Sequence, residues 1–215
     1  MSNYELYVLG SRTAVTLLAT FFGAWFAYQL QNRREKLKEE KAQKTALNSA
    51  LFILLRKYNA LEIFKRELDL LKDDGSRAFK LKPLKTNDYN DLKFDIESLN
   101  FLIDTKEPQI LSDLFVEQER FEQVLSALKV RSEYQVNVIQ PLLEKSGIAN
   151  KKVSFEEACK AIGEHKIEGL IQCTDEVYFH VYESHESVGK LIDKLHQYAK
   201  KLFPKAGFIV VDKST

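Results

Sequence analysis

Residues 170–202 read LIQCTDEVYFHVYESHESVGKLIDKLHQYAKKL, with no proline anywhere in the run. Leu170, Thr174, Val177, Val181, Ser184, Val188, Leu191, Leu195, Tyr198 and Leu202 follow one another at alternating steps of four and three. On a helix of about 3.6 residues per turn, those positions form one face. A near-heptad stripe of this kind requires a partner helix, in a bundle or a coiled coil. Pro204 closes the segment, because proline cannot continue a helix.

Working upstream, Ser154 and Glu157 have capping-box spacing, and Gly163 is a point where the following helix can break. A further helix is expected from near Glu107. Thr105 and Pro108 mark its start, and Ile110, Leu114, Phe121, Leu125 and Leu128 form its apolar face. Pro141 kinks or shortens it, and Gly147 stops it. Residues 91–104, with Phe94, Ile96, Leu99, Phe101 and Leu102, suit a short helix. Residues 76–90 hold Pro83 and turn formers and read as a loop. Before the loop, Leu47, Leu51, Leu54, Tyr58, Leu61, Phe64, Leu68 and Leu71 make another stripe, which Asp73, Asp74 and Gly75 end. Gly75 is placed to serve as a left-handed C′ residue. With 8 Gly and 4 Pro in 215 residues, long helices are favoured over many short strands. The C-terminal run from Phe208 to Val211 is β-prone and has no evident partner.

Nearer the N-terminus the pattern changes. Residues 13–30, TAVTLLATFFGAWFAYQL, carry no charge. They extend about 27 Å as a helix, close to a hydrocarbon core of roughly 30 Å. Arg12 can snorkel at one end, and Trp25 and Tyr28 suit the interface near the other. A secretory signal would need small residues around a cleavage site, but Trp25 and Phe26 separate Ala24 from Ala27. Residues 31–44 then hold six cations against three anions, while residues 1–12 hold one of each. Positive-inside asymmetry places the N-terminus outside and the C-terminal region in the cytoplasm of a cell inner (plasma) membrane. The basic candidates for topology and anionic lipid are Arg33, Arg34, Lys36 and Lys38. Ala19, Gly23 and Ala27 recur every four residues and form a small-residue face through which spans can pack. No proline interrupts Thr13 to Lys72, so span and stripe can form one rod of about 90 Å.

These readings give an all-α chain: a tail (1–12), a transmembrane helix (13–31), a basic juxtamembrane helix (32–44), a cytoplasmic antiparallel bundle with coiled-coil-like helices (45–203) and a C-terminal tail (204–215). Net charge is +1, which gives no general attraction to nucleic acid, and aromatics are too sparse in the basic run for a stacking platform. Cys159 and Cys173 form no disulfide framework and no CxxC. The phosphate-loop, dinucleotide and nucleophile-elbow motifs are absent, and His185-Glu186 lacks the second histidine of a zincin.

Three clusters are candidates for chemistry. Cys173, Glu176, His180 and Glu183 share a helix face, yet no second histidine motif completes a metal site, so a solvated face is the plainer reading. Lys80, Lys82 and Lys85, with Arg77 and Phe79, could meet anionic lipid or a phosphorylated ligand, or simply form a polar loop. Cys159 lies six residues from His165, a spacing that does not by itself bring thiol and base together. No cofactor or metal is expected. The sequence points to a membrane-anchored, non-catalytic protein whose helical domain self-associates or binds a cytoplasmic protein. The alternatives are an oligomeric effector or sensor whose bundle controls its spans, and an enzyme of unrecognised type.

Overall fold

The computed structural model describes the backbone of residues 3–84, 87–149, 151 and 153–210, with side chains from Thr20 onward. The chain divides into two units, Met1–Thr45 and Ala46–Thr215. Among the described residues the protein is all-helical, as its periodicity predicts. The order is α1 (Asn3–Asp69), α2 (Arg77–Lys80), α3 (Ile96–Leu99), a 3₁₀ turn (Asn100–Leu102), α4 (Gln109–Tyr134), a π-helical turn (Gln135–Ile139), α5 (Gln140–Lys145), α6 (Phe155–Ile162) and α7 (Glu164–Leu202).

The first unit lies wholly within the N-terminal part of the chain and α1. From Thr20 to Tyr28 every residue is exposed, and Leu30 is exposed too. The second unit is built on the stripes. Leu47, Leu51, Leu54, Leu61, Phe64 and Leu68 of α1 are buried with Ile110, Leu114, Phe121, Val124 and Leu128 of α4 and with the α7 stripe from Val177 on, while Leu170 packs in a second cluster with Ile139, Ala158 and Ile162. Nine of the ten predicted α7 positions are buried. The exception is Leu202, 37% exposed; the core is closed instead by Phe203, just past the helix end. On α4, Val124 takes the core position expected of Leu125, which is half-buried.

Cross-helix contacts give the directions. Glu62, Leu68 and Asp69 of α1 meet His185, Tyr178 and Tyr182 of α7. Glu107, Asp113 and Glu117 at the start of α4 meet Lys201, Lys194 and Ser187, while Arg131 meets Thr174. Helix α7 is therefore antiparallel to both α1 and α4. Those two run parallel to each other, which corrects the expected all-antiparallel arrangement. A parallel pair needs a long return connection, and residues 70–108 supply it. Leu81, Leu92, Leu99 and Leu102 of that connection are buried in the same core.

Several ends are set by local chemistry. Ser154 Oγ accepts from the Glu157 N–H at 3.2 Å. Glu157 Oε2 accepts in return from the Ser154 N–H at 2.8 Å. Together these bonds complete the capping box that starts α6. Gly147 has φ 67°; its N–H bonds Glu144 O and the Ile148 N–H bonds Leu143 O, the paired bonds of a Schellman stop. Gly163, at φ 95°, turns the chain between α6 and α7. Gly75, by contrast, does not adopt a positive φ. Helix α1 ends at Asp69, and an Asx turn follows, in which Asp74 accepts from both the backbone N–H and the hydroxyl of Ser76. Pro141 does not end its helix outright. Its ring cannot fit above a regular α turn, and the helix widens just before it, with the Gln140 N–H reaching back to Gln135 O.

The C-terminal segment has a structural role that its sequence left open. Phe208 is buried in the core. Asn48 on α1 holds the neighbouring backbone, accepting from the Ile209 N–H (3.2 Å) and donating to Gly207 O (3.5 Å). A side-chain amide thus holds the described part of the β-prone run by its backbone; Val211 lies outside the described residues.

Candidate functional site

The most unusual surface lies in the first unit. Phe21 (66% exposed), Phe22, Trp25, Phe26, Tyr28 and Leu30 project from the helix without protein cover. Among the described residues, Phe21 pairs with its neighbour Phe22 (6.0 Å) and Trp25 with Phe26 (5.7 Å). A helix apolar on all sides is ordinarily buried in a core or in lipid. A methyl group added at Gly23 would meet nothing within 4 Å, so the Gly23–Ala27 face is open within one copy of the chain. Ala19, like residues 13–18 of the predicted span, lies outside the residues whose side chains are described. Among the described residues no helix is long and apolar enough to cross a membrane. Arg33, Arg34, Lys36 and Lys38 are all exposed, and none has an ion-pair partner among the described residues.

The second unit holds a buried ionic node that the sequence did not announce. Lys57 is fully buried on α1, its Nζ donating to Gln118 Oε1 at 2.7 Å. The ammonium also lies 4.4 Å from the ring centre of Phe94 and 5.4 Å from that of Phe121. Both contacts are cation–π arrangements. Burial lowers the Lys57 pKa to about 8, against the attraction of Glu122 and Glu117. Glu117 is also buried and accepts from Ser187 (2.8 Å) and Arg120 (2.9 Å). Its pKa is pushed up by burial, opposed by those bonds and by Lys57. Arg131 is the third buried charge. It donates to the carbonyls of Ala78 (3.1 Å), Leu81 and Lys82 (3.2 Å) and to Thr174 Oγ1 (3.4 Å), tying α4 to the crossover and to α7. Burial lowers its pKa to about 10, so it remains cationic at neutral pH.

Glu117 and Arg131 sit on the α4 stripe where its apolar pattern skips a step, whereas Lys57 lies beside Tyr58 in an unbroken α1 stripe. Lys57 falls between Leu54 and Leu61, Glu117 between Leu114 and Phe121, and Arg131 one step beyond Leu128. For Glu117 and Arg131 the sequence signal was that gap, filled by a charge; Lys57 carried no such signal.

The predicted clusters fare differently. Among the described residues no group of three or more His, Cys, Asp or Glu is arranged to hold a metal ion. Glu176 accepts instead from Gln172 (3.3 Å), and His180 packs edge-on to Phe179 (5.3 Å). The loop cations are partly neutralised from within: Arg77 pairs with Asp175 (2.7 Å) and Lys80 with Asp74 (2.5 Å), while Lys85 lies outside the described residues. Both thiols are held protonated rather than activated. Burial and then Glu164, Glu168 and Glu156 raise the Cys159 pKa; burial and Glu176 raise that of Cys173. His185 forms no zincin site; it pairs with Glu62 (2.7 Å) and stacks on Tyr58 (4.5 Å), joining α7 to α1.

No protein-family model, curated protein or solved structure matches this chain.

Proposed function

We propose that this is a single-pass membrane-anchored protein, without catalytic activity, whose C-terminal helical unit self-associates or binds a protein partner in the cytoplasm. One observation carries the reading: the exposed, charge-free apolar surface of residues 20–30 is followed at once by four exposed cations with no ion-pair partner among the described residues. In water such a surface costs about 25 cal/mol for every Å² left exposed, whereas lipid removes that cost. The charge-free run extends upstream to Thr13, giving a stretch of spanning length. The cations suit the cytoplasmic headgroup region, with the bilayer and its anionic lipids as the first partners. The open Gly23–Ala27 face supports helix pairing within the bilayer. The buried ionic residues support the non-catalytic reading, since Lys57 and Arg131 are spent on structural contacts and neither thiol is activated.

Membrane fractionation tests this. The full chain should stay in the pellet through alkaline carbonate washing. A C-terminal green fluorescent protein fusion should fluoresce, while a C-terminal alkaline phosphatase fusion should be inactive. Replacing Phe21, Phe22 and Phe26 with aspartate should release the chain into the soluble fraction. Release of the unaltered chain by carbonate would refute the anchor.

A further inference from the structure

The second unit begins at Ala46, and α7 finishes and α4 starts at the same end of it. Asn48 of α1 holds Gly207 O and the Ile209 N–H, and Lys201 of α7 pairs with Glu107 just ahead of α4 (3.3 Å). Four exposed lysines lie on these segments: Lys106, Lys200, Lys201 and Lys205. The carboxylates among them are Asp104 and Glu107. Lysines in the last turn of a helix ordinarily complement its dipole, which accounts for Lys200 and Lys201. Lys106 and Lys205 lie outside the helices and have no ion-pair partner among the described residues. Two apolar side chains stand open beside them: Leu202, the one exposed position of the α7 stripe, and Val210, 72% exposed. Helix α7 is polarised in the same sense. Residues 164–186 hold six carboxylates and one Lys, a net −5, whereas residues 187–202 hold four Lys and one Asp, a net +3.

We propose that this end of the second unit docks on an anionic lipid surface. Lys106, Lys201 and Lys205 meet the headgroups, and Leu202 and Val210 enter the interface beside them. The inference rests on the membrane-anchored reading above and adds to it a second, reversible contact made by the helical unit. Interfacial binding combines buried apolar area with attraction of basic side chains to anionic lipid, and both are present here. So few groups would not hold a free protein on a bilayer, but this unit is tethered. Fifteen residues, 31–45, separate Leu30 from Ala46. Whatever their course, they keep the unit within about 50 Å of the end of the apolar run, at an effective lipid concentration on the order of mM. The Lys201–Glu107 pair is exposed, and exposed pairs contribute little, so a headgroup can take Lys201 at small cost. The acidic block of α7 favours the same orientation, since it lies toward the opposite end of the unit. A soluble polyanion would suit the lysines but leave Leu202 and Val210 uncovered.

The test uses the full chain in lipid nanodiscs. One set is pure phosphatidylcholine, and the other carries about 30% phosphatidylserine. A water-soluble reagent acetylates exposed lysines, and mass spectrometry reads each site. Phosphatidylserine should slow acetylation of Lys106, Lys201 and Lys205 about fivefold, and leave Lys129 and Lys160, toward the other end of the unit, unchanged. Salt at about 0.5 M should remove the difference, because the Debye length then falls to roughly 4 Å. Val210→Asp, and separately Lys106→Glu with Lys205→Glu, should bring the ratio at Lys201 to within about twofold of unity. These side chains are exposed, so helical circular dichroism should match wild type. Lys200 is left unaltered because its Nζ bonds Ala206 O. Equal acetylation of the three lysines in the two lipids, equal slowing at Lys129 and Lys160, or a ratio at Lys201 that survives both variants would overturn the proposal. So would slowing in pure phosphatidylcholine that is lost on dilution, since the occupant would then be a second copy. Each variant should stay in the carbonate pellet, so failure here leaves the anchor standing. If carbonate releases the unaltered chain, the anchor fails, and vesicles of the same two compositions added to the free chain decide the docking by the same ratio at Lys201.

Discussion

Replacing Lys57 with methionine should make the protein more stable. The side chain is fully buried, and its pKa falls from 10.5 to about 8, chiefly through desolvation. That shift amounts to a penalty of about 3 kcal/mol on the folded, charged form, with the attraction of Glu122 and Glu117 already included. The rings of Phe94 and Phe121 return about 1–2 kcal/mol of cation–π attraction. Methionine fills nearly the same volume without a charge, so the net gain at pH 7 is about 1–2 kcal/mol. Lys57→Ala should instead lose about 2–3 kcal/mol, because the cavity outweighs the relief. The same logic fixes a pH dependence. Between pH 8 and 10.5 the folded chain binds fewer protons at Lys57 than the unfolded chain does, so wild-type stability should rise through that window and stay level in this respect below it. Lys57→Met should abolish the rise. Urea unfolding of the full chain in micelles, followed by far-ultraviolet circular dichroism at several pH values, reads both effects. A methionine variant less stable than wild type at pH 7, or a rise that survives the substitution, would refute the reasoning.

Arg131→Ala should cost about 3–5 kcal/mol, because the carbonyls of Ala78, Leu81 and Lys82 lose their donor, and Arg131→Lys should restore little, since one ammonium cannot reproduce the guanidinium fork. Hydrogen exchange should show the amides of residues 77–82 opening first. Gly163→Ala should cost about 1–3 kcal/mol, since a positive φ disfavours any side chain. At φ 95° the new methyl would also lie 3.2 Å from His165 Cε1. Urea midpoints measured beside Gly207→Ala, which has open space and no positive φ, would expose an error if the two variants were equally mild.

What the sequence disclosed and what it hid separate along physical lines. The capping box at Ser154, the stops at Gly147 and Gly163 and nine of the ten α7 stripe positions were legible, because each depends on chemistry within a few residues or on a regular period. Lys57, Glu117 and Arg131 were not, since a charge on a helix is ordinarily solvated and their partners lie far along the chain. Lys57 bonds Gln118, far downstream on α4, and Glu117 bonds Ser187 on α7. Gly75 misled for the converse reason: its dipeptide favours a left-handed stop, but Asp74 closes the turn with its own side chain. The parallel course of α1 and α4 is also invisible to periodicity, which places faces and not directions.

That parallel course matters during synthesis. Many partners of α1 lie on α7 and beyond it, with Leu68 and Tyr178 separated by 110 residues, Glu62 and His185 by 123, and Asn48 and Gly207 by 159. At roughly 5–20 residues per second, the ribosome needs several seconds to tens of seconds to make the intervening chain. For that interval the apolar stripe of α1 has no native cover from α7, and an exposed stripe of this kind is prone to aggregate until α7 has been made.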